Sequence, residues 1–142
     1  MHAFGGFAGS NRLNSLETLD LAAASKAWTM LALEGVPARD SALMCAISET
    51  EMLISGGLYE NDKGTTKLFR DAYLYSTEHQ QVVRKVSDDA GLAFSCLSPP
   101  IMQAKGTFVA LVETYDSVLK MVRYSARTEN FTVIETIGRC RH

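Results

Sequence analysis

The sequence predicts an all-β protein made of repeated, four-stranded antiparallel units. Three observations predict it. A short apolar run that ends in a glycine pair occurs twice, as Ala3-Phe4-Gly5-Gly6-Phe7 and Ile54-Ser55-Gly56-Gly57-Leu58, 51 residues apart. Each pair precedes a polar stretch and then a run whose apolar side chains alternate, the period of a half-buried strand. The 142 residues divide into three units of about 47, inside the ~20 to 50 residue range of repeat architectures.

In the first unit the polar loop spans 9–13 and leads to SLETLDL (15–21), followed by AWTML (27–31). In the second, the loop at 60–67 leads to DAYLYST (71–77) and then QVVRKV (81–86). Trp28 and Val82 are expected to anchor the inner face of these closing strands. Between the units lies GVPARDSALMCAIS (35–48), where a turn with Pro37 and Arg39 feeds an apolar strand, read as the innermost strand of the second unit. The third unit has no glycine pair, and TFVALVE (107–113), VLKMVRY (118–124) and FTVIETI (131–137) supply its strands. Leu19, Tyr75 and Tyr124 fall in equivalent places, as do Asp20, Ser76 and Ser125, and Trp28, Val82 and Phe131. The competing local reading is helix, because residues 16–33 are rich in Leu and Ala. The same stretch aligns with DAYLYST and VLKMVRY, whose Tyr and Val favour strands, so strand is preferred and an α+β domain is the alternative.

A glycine pair inside an apolar strand loses packing and backbone entropy, so it implies close packing where neighbouring units converge. Trp28, Tyr73, Tyr75, Tyr124 and Phe131 recur at strand positions and read as the aromatic filling between stacked sheets.

The glycine pair after an apolar strand, a strand ending in an aromatic or Leu followed by Asp, a Trp some residues later and a Pro-x-Arg turn together resemble the kelch repeat. The first unit supplies Gly5, Gly6, Leu19, Asp20, Trp28, Pro37 and Arg39 in that order. The second keeps Gly56, Gly57 and Tyr75 but carries Ser76 and Val82, and the third departs further. No Trp-Asp dipeptide or Gly-His pair favours the WD40 type. The resemblance implies kelch-like β-propeller blades in one segment spanning 1–142, with blades at approximately 1–36, 37–88 and 89–142. Propellers close with about four to eight blades, so three imply a partial propeller. The expected solutions are a longer chain, with GRCRH (138–142) entering a further blade, a homodimer of three plus three blades, or remaining blades from another chain.

Hydrophobic residues at 46% and charged residues at 21% are those of a folded domain. Fourteen Lys and Arg against sixteen Asp and Glu give a charge of -2, and no positive field invites nucleic acid or anionic lipid. Apolar stretches fall short of the ~20 residues of a membrane span, so no membrane insertion is expected. The opening MHAFGGFAGS is no secretory signal, which points to an intracellular, cytoplasmic chain. Cys45, Cys96 and Cys140 are odd in number and widely spaced, the pattern of reduced thiols and of neither a zinc site nor a disulfide framework.

The residues offer little chemistry. His2, His79 and His142 give no nucleophile-base pairing, Asp88-Asp89 sits in a turn where carboxylates satisfy backbone donors, and Cys140-Arg141-His142 is a lone terminal pair. No catalytic residue, metal or cofactor is expected. The expected function is a non-catalytic protein-protein interaction scaffold that uses inter-strand and inter-blade loops. The alternatives are a structural subunit of a large assembly and part of a propeller enzyme. Up-and-down sheets bring 11–14, 34–40 and 61–67 to one side, and loops on a rigid frame carry recognition. Arg12, Asn14, Arg39, Lys63 and Lys67 are therefore the candidate contacts with a protein partner.

Overall fold

The computed structural model describes residues 1–140 and consists of strands and connections, with no helix among them. The first sheet begins with β1 (His2–Phe4), passes through a hairpin of β2 (Phe7–Ala8) and β3 (Asn11–Arg12), and continues in β4 (Ser15–Leu19) and β5 (Trp28–Ala32). The second holds β6 (Leu43–Ala46), β7 (Glu51–Ser55), a hairpin of β8 (Leu58–Glu60) and β9 (Thr66–Leu68), then β10 (Ala72–Ser76) and β11 (Gln81–Ser87). The third holds β12 (Ser95–Cys96), β13 (Ile101–Ala104), β14 (Thr107–Glu113), β15 (Val118–Ser125) and β16 (Asn130–Arg139). The strand orders are β1-β4-β5, β6-β7-β10-β11 and β14-β15-β16, with β12 and β13 sharing the free side of β14. Neighbouring strands pair antiparallel throughout. The chain is thus all-β, and since no helix is present, none is long and apolar enough to cross a membrane.

Residues 16–33, which composition alone allows as a helix, form β4, an irregular stretch and β5. Propensity yields here to the pairing of Leu16 with Leu31 and Leu19 with Trp28 across a sheet. The apolar strand after Pro37 and Arg39 is β6, at the edge of the second sheet beside β7.

The internal repeat holds at the level of single hydrogen bonds. Ala3 lies opposite Glu17 as Ile54 lies opposite Tyr73, and Leu19-Trp28, Tyr75-Val82 and Tyr124-Phe131 are cross-strand pairs in the three sheets. At the first glycine pair, the N–H of Gly6 donates to Arg39 O, that of Arg39 to Leu13 O, and that of Leu13 to Gly6 O, each at 3.0 Å. The second repeats this ring with Gly57, Phe94 and Phe69, at 2.7, 3.3 and 2.9 Å. The two pairs match position by position, with φ of 69° and 109° at Gly5 and Gly6 and of 66° and 100° at Gly56 and Gly57. This positive φ disfavours a side chain at all four, and at Gly5, Gly56 and Gly57 an added Cβ would also lie within 3 Å of a neighbouring atom.

The three sheets stack in chain order, and the period of two along each strand decides which residues meet. Leu43, Cys45, Leu53, Ala72 and Leu74 of the second sheet pack on Phe108, Ala110, Val112, Val122, Tyr124 and Phe131 of the third, with Phe94 between them. Ile54, Tyr73 and Tyr75 point the other way, onto Leu16, Leu33 and Val36. Covered on both faces, β10 is buried at every residue. Rings carry the second interface: Phe94 and Phe131 meet edge to face at 5.0 Å, and Phe108 stacks on Tyr124 at 5.3 Å.

Trp28 corrects an expectation. It is 49% exposed and anchors no inner face. Val82 and Phe131, its equivalents, pack against or within the cores, because their side of the sheet meets the preceding sheet. Trp28 lies on the side of the first sheet that no other sheet covers.

Candidate functional site

The connections at 5–14, 33–42, 56–71, 88–94 and 114–117 are held to one another by hydrogen bonds on one side of the stack. The Arg12 Nε donates to Asp40 Oδ2 at 2.9 Å, its Nη2 lies 3.5 Å from Glu60 Oε2, and its guanidinium sits 4.8 Å over the Phe7 ring. One side chain therefore joins the β2–β3 hairpin, the 33–42 connection and the β8–β9 hairpin. Asp40 and Leu58 exchange backbone hydrogen bonds at 3.0 and 2.8 Å beneath it. On the far side, the N–H of Leu68 donates to the Tyr115 hydroxyl at 2.5 Å, tying the second sheet's hairpin to the 114–117 turn. Of the grouping of 11–14, 34–40 and 61–67 expected from up-and-down topology, these contacts join Arg12 to Asp40 and both to the base of the β8–β9 hairpin at Leu58 and Glu60.

Arg39 is the centre of this network and not part of its surface. Its side chain is 0% exposed, and it donates from Nη1 to Asp71 Oδ1 at 2.6 Å, from Nη2 to Asp71 Oδ2 at 3.0 Å, from Nη1 to Gly56 O at 2.9 Å and from Nε to Pro37 O at 3.0 Å. The guanidinium carbon also lies over Phe69, 3.8 Å from the ring centroid. The expectation that Arg39 meets a partner is corrected on this ground: a fully enclosed guanidinium with its donors engaged offers nothing to a second molecule. It joins the first-to-second sheet connection to β10 by a two-pronged ion pair.

Asn14 is half-buried, and its amide donates to Leu33 O at 3.4 Å, so it ties β4 to the end of β5. Lys63 stands exposed at the tip of the β8–β9 hairpin, where Asn61 Oδ1 accepts the N–H of Lys63 and of Thr65 and fixes the turn. Lys67 is exposed on β9 with Nζ 5.1 Å above Phe69. Lys63 and Lys67 have no ion pair among the described residues. Of the five expected contact residues, these two present their charge freely, Arg12 presents an edge, and Arg39 and Asn14 build the frame.

Beside Lys67 opens a cleft of about 510 Å³, bordered by Phe69, Asp71, Tyr73, Lys85 and Tyr115. The Tyr73 hydroxyl donates to Asp71 Oδ2 at 3.2 Å, and burial, then the Asp71 carboxylate, push its pKa up. Lys85 is held by Asp88. Sequence reasoning passed over Asp71, Phe69 and Tyr115. Asp71 had a signal, since it precedes β10 where the equivalent first-sheet residue, Ser15, is polar and buried too.

Elsewhere, burial pushes the Cys45 thiol up to about 11 and raises that of Cys96 as well. Thiols so shifted are protonated and unreactive at neutral pH. Asp88 and Asp89 act within their turn: the N–H of Asp89 donates to Ser87 Oγ, Asp89 Oδ1 accepts the N–H of Gly91, and Asp89 pairs with Arg70. His79 lies in the turn after β10 with its N–H on Ser76 Oγ. Among the described residues no group of three or more His, Cys, Asp or Glu converges to hold a metal ion. Arg141 and His142, the rest of the terminal Cys-Arg-His run, lie outside the described residues.

With that geometry in view, one solved structure is informative. The chain is similar in fold to YjhT. The two share 16% sequence identity and superpose with a TM-score of 0.62, over 96% of this chain and 50% of that one. The chain therefore spans about half the length of YjhT. No protein-family profile and no curated protein matches the sequence.

Proposed function

We propose that the three sheets are kelch-like propeller blades and that the chain is a non-catalytic module that binds a protein partner on the loop face. One observation carries this reading: four connections from three sheets are cross-linked through Arg12, Asp40, Leu58, Leu68 and Tyr115 over the buried Arg39–Asp71 pair. Such a surface is rigid before it binds, so little ordering entropy is lost on association. Lys63 and Lys67 crown it and match a partner that presents carboxylates.

The test compares wild type with the double variant Lys63→Glu/Lys67→Glu. Each protein is crosslinked to its partner in cell extract and the crosslinked peptides are identified by mass spectrometry. The expected result is a partner peptide joined to the β8–β9 hairpin in wild type and lost in the variant. A partner that maps to the opposite turns, such as 77–80, or that is retained at full yield by the variant, overturns the reading.

A further inference from the structure

The stack has two uncovered sheet faces, and they are unlike. On the outer face of the first sheet, Ala3, Glu17 and Met30 lie in register, beside the Leu19-Trp28 pair. Met30 is 75% exposed. On the outer face of the third sheet, Ile101 lies opposite Val109, and Val109 and Leu111 lie opposite Arg123 and Met121. Ile101 is 68% exposed. Both faces are apolar across several strands, the kind of surface that marks an interface.

The internal repeat says what each face fits. Leu19-Trp28 stands where Tyr75-Val82 and Tyr124-Phe131 stand, and in the later sheets that face is covered by the sheet before it. By the same register Val109 and Ile101 stand where Leu53 and Cys45 stand in the second sheet, on the face covered by the sheet after it. The first sheet's face is therefore shaped to follow a third sheet, and the third sheet's face to precede a first sheet.

We infer that a second copy of this chain covers both faces, first sheet on third sheet twice over, closing a ring of six sheets about a two-fold axis. Six lies within the range of about four to eight at which stacked antiparallel sheets close, and two unlike patches that meet through a closing rotation give a finite assembly. The similarity to YjhT is consistent in extent, since nearly all of this chain superposes on half of that one. The inference uses the sheet faces and not the loop face, so it stands or falls apart from the proposed partner binding.

Light scattering on the full chain at micromolar concentration tests it, with Met30→Lys and Ile101→Lys as variants. Both side chains are largely exposed, and circular dichroism checks that each variant keeps its sheet spectrum. Wild type is expected at twice the chain mass and each single variant at the chain mass. An equimolar mixture of the two variants returns to twice the mass, because one unaltered interface forms between them. Trp28, the single tryptophan, reports the same event: its emission shifts to the red on dilution and in both monomeric variants. A monomeric wild type, an open polymer, a dimer broken by one variant only, or a mixture that stays monomeric each overturns the inference.

Discussion

Arg39 and Asp71 lie 32 residues apart in sequence and meet as a two-pronged ion pair inside the protein, with nitrogen to oxygen distances of 2.6 and 3.0 Å. Each group has further partners: Arg39 reaches two carbonyls, and Asp71 accepts from the Tyr73 hydroxyl. A buried pair of this kind is held in place by full satisfaction of its atoms more than by Coulomb attraction, since desolvation opposes the attraction.

Removing one partner is therefore worse than removing both. Arg39→Ala leaves the Asp71 carboxylate enclosed and unpaired, and is expected to cost about 3–5 kcal/mol in urea unfolding. Arg39→Lys keeps the charge but loses the fork and the guanidinium's contact with the Phe69 ring, and falls in between. Arg39→Met combined with Asp71→Leu is expected to recover most of the loss of either single change. If the double variant is as unstable as the sum of the singles, the pair is not acting as a unit.

The glycine pairs separate two physical causes that sequence alone runs together. An alanine at Gly6 meets nothing within 4 Å, so only its backbone conformation resists, at about 1–2 kcal/mol. At Gly56 the added methyl comes within 2.5 Å of the Phe94 ring, which is itself wedged against Phe131 and has no room to retreat. Gly56→Ala is expected to lose roughly a further 1–3 kcal/mol from overpacking. Equal destabilisation of the two variants in chemical unfolding would refute the close-approach account.

Phe131 pairs across strands with Tyr124 and touches Phe94 and Phe108 as well. Phe131→Ala is expected to cost about 3–5 kcal/mol and to flatten the near-ultraviolet circular dichroism of the surrounding rings. Truncation at Val133, two residues on and substantially exposed, is expected to stay within about 0.5 kcal/mol. A similar loss at both positions would argue against a core centred on these rings.

These contrasts show how far the sequence could be read. Alternation and the glycine pairs were enough for all-β sheets, for the equivalence of Leu19 with Tyr75 and Tyr124, and for the strand after Arg39, because strand period and turn chemistry are local. Burial is not local. Trp28 and Phe131 are equivalent in the repeat, yet one is exposed and the other enclosed, and only the order of stacking decides between them. Arg39 was misread for the same reason. An arginine in a loop looks like a surface charge until Asp71, Gly56 and Phe69 are brought around it by the second sheet.

Ionisation gives a last measurable consequence. Burial pushes the Cys45 thiol up to about 11, and burial followed by the nearby Glu129 carboxylate pushes the Tyr124 phenol up to about 12. In both, the folded state disfavours the charged form relative to the unfolded chain, so their contribution to stability is complete below the unfolded values, near 9 for the thiol and 10 for the phenol. It is lost as pH rises through the folded values. Stability measured by urea unfolding is therefore expected to show no loss from these two groups up to about pH 8.5 and to decline above pH 9. Cys45→Ala should flatten the early part of that decline, with a constant offset from the cavity it leaves, while Tyr124→Phe should flatten the later part. The same burial makes Cys45 slow toward a thiol reagent at pH 8 until the sheets open, so its labelling rate should rise with urea in step with unfolding. Labelling of Cys45 at the rate of a free thiol in the native protein would show that the interface between the second and third sheets is not closed over it.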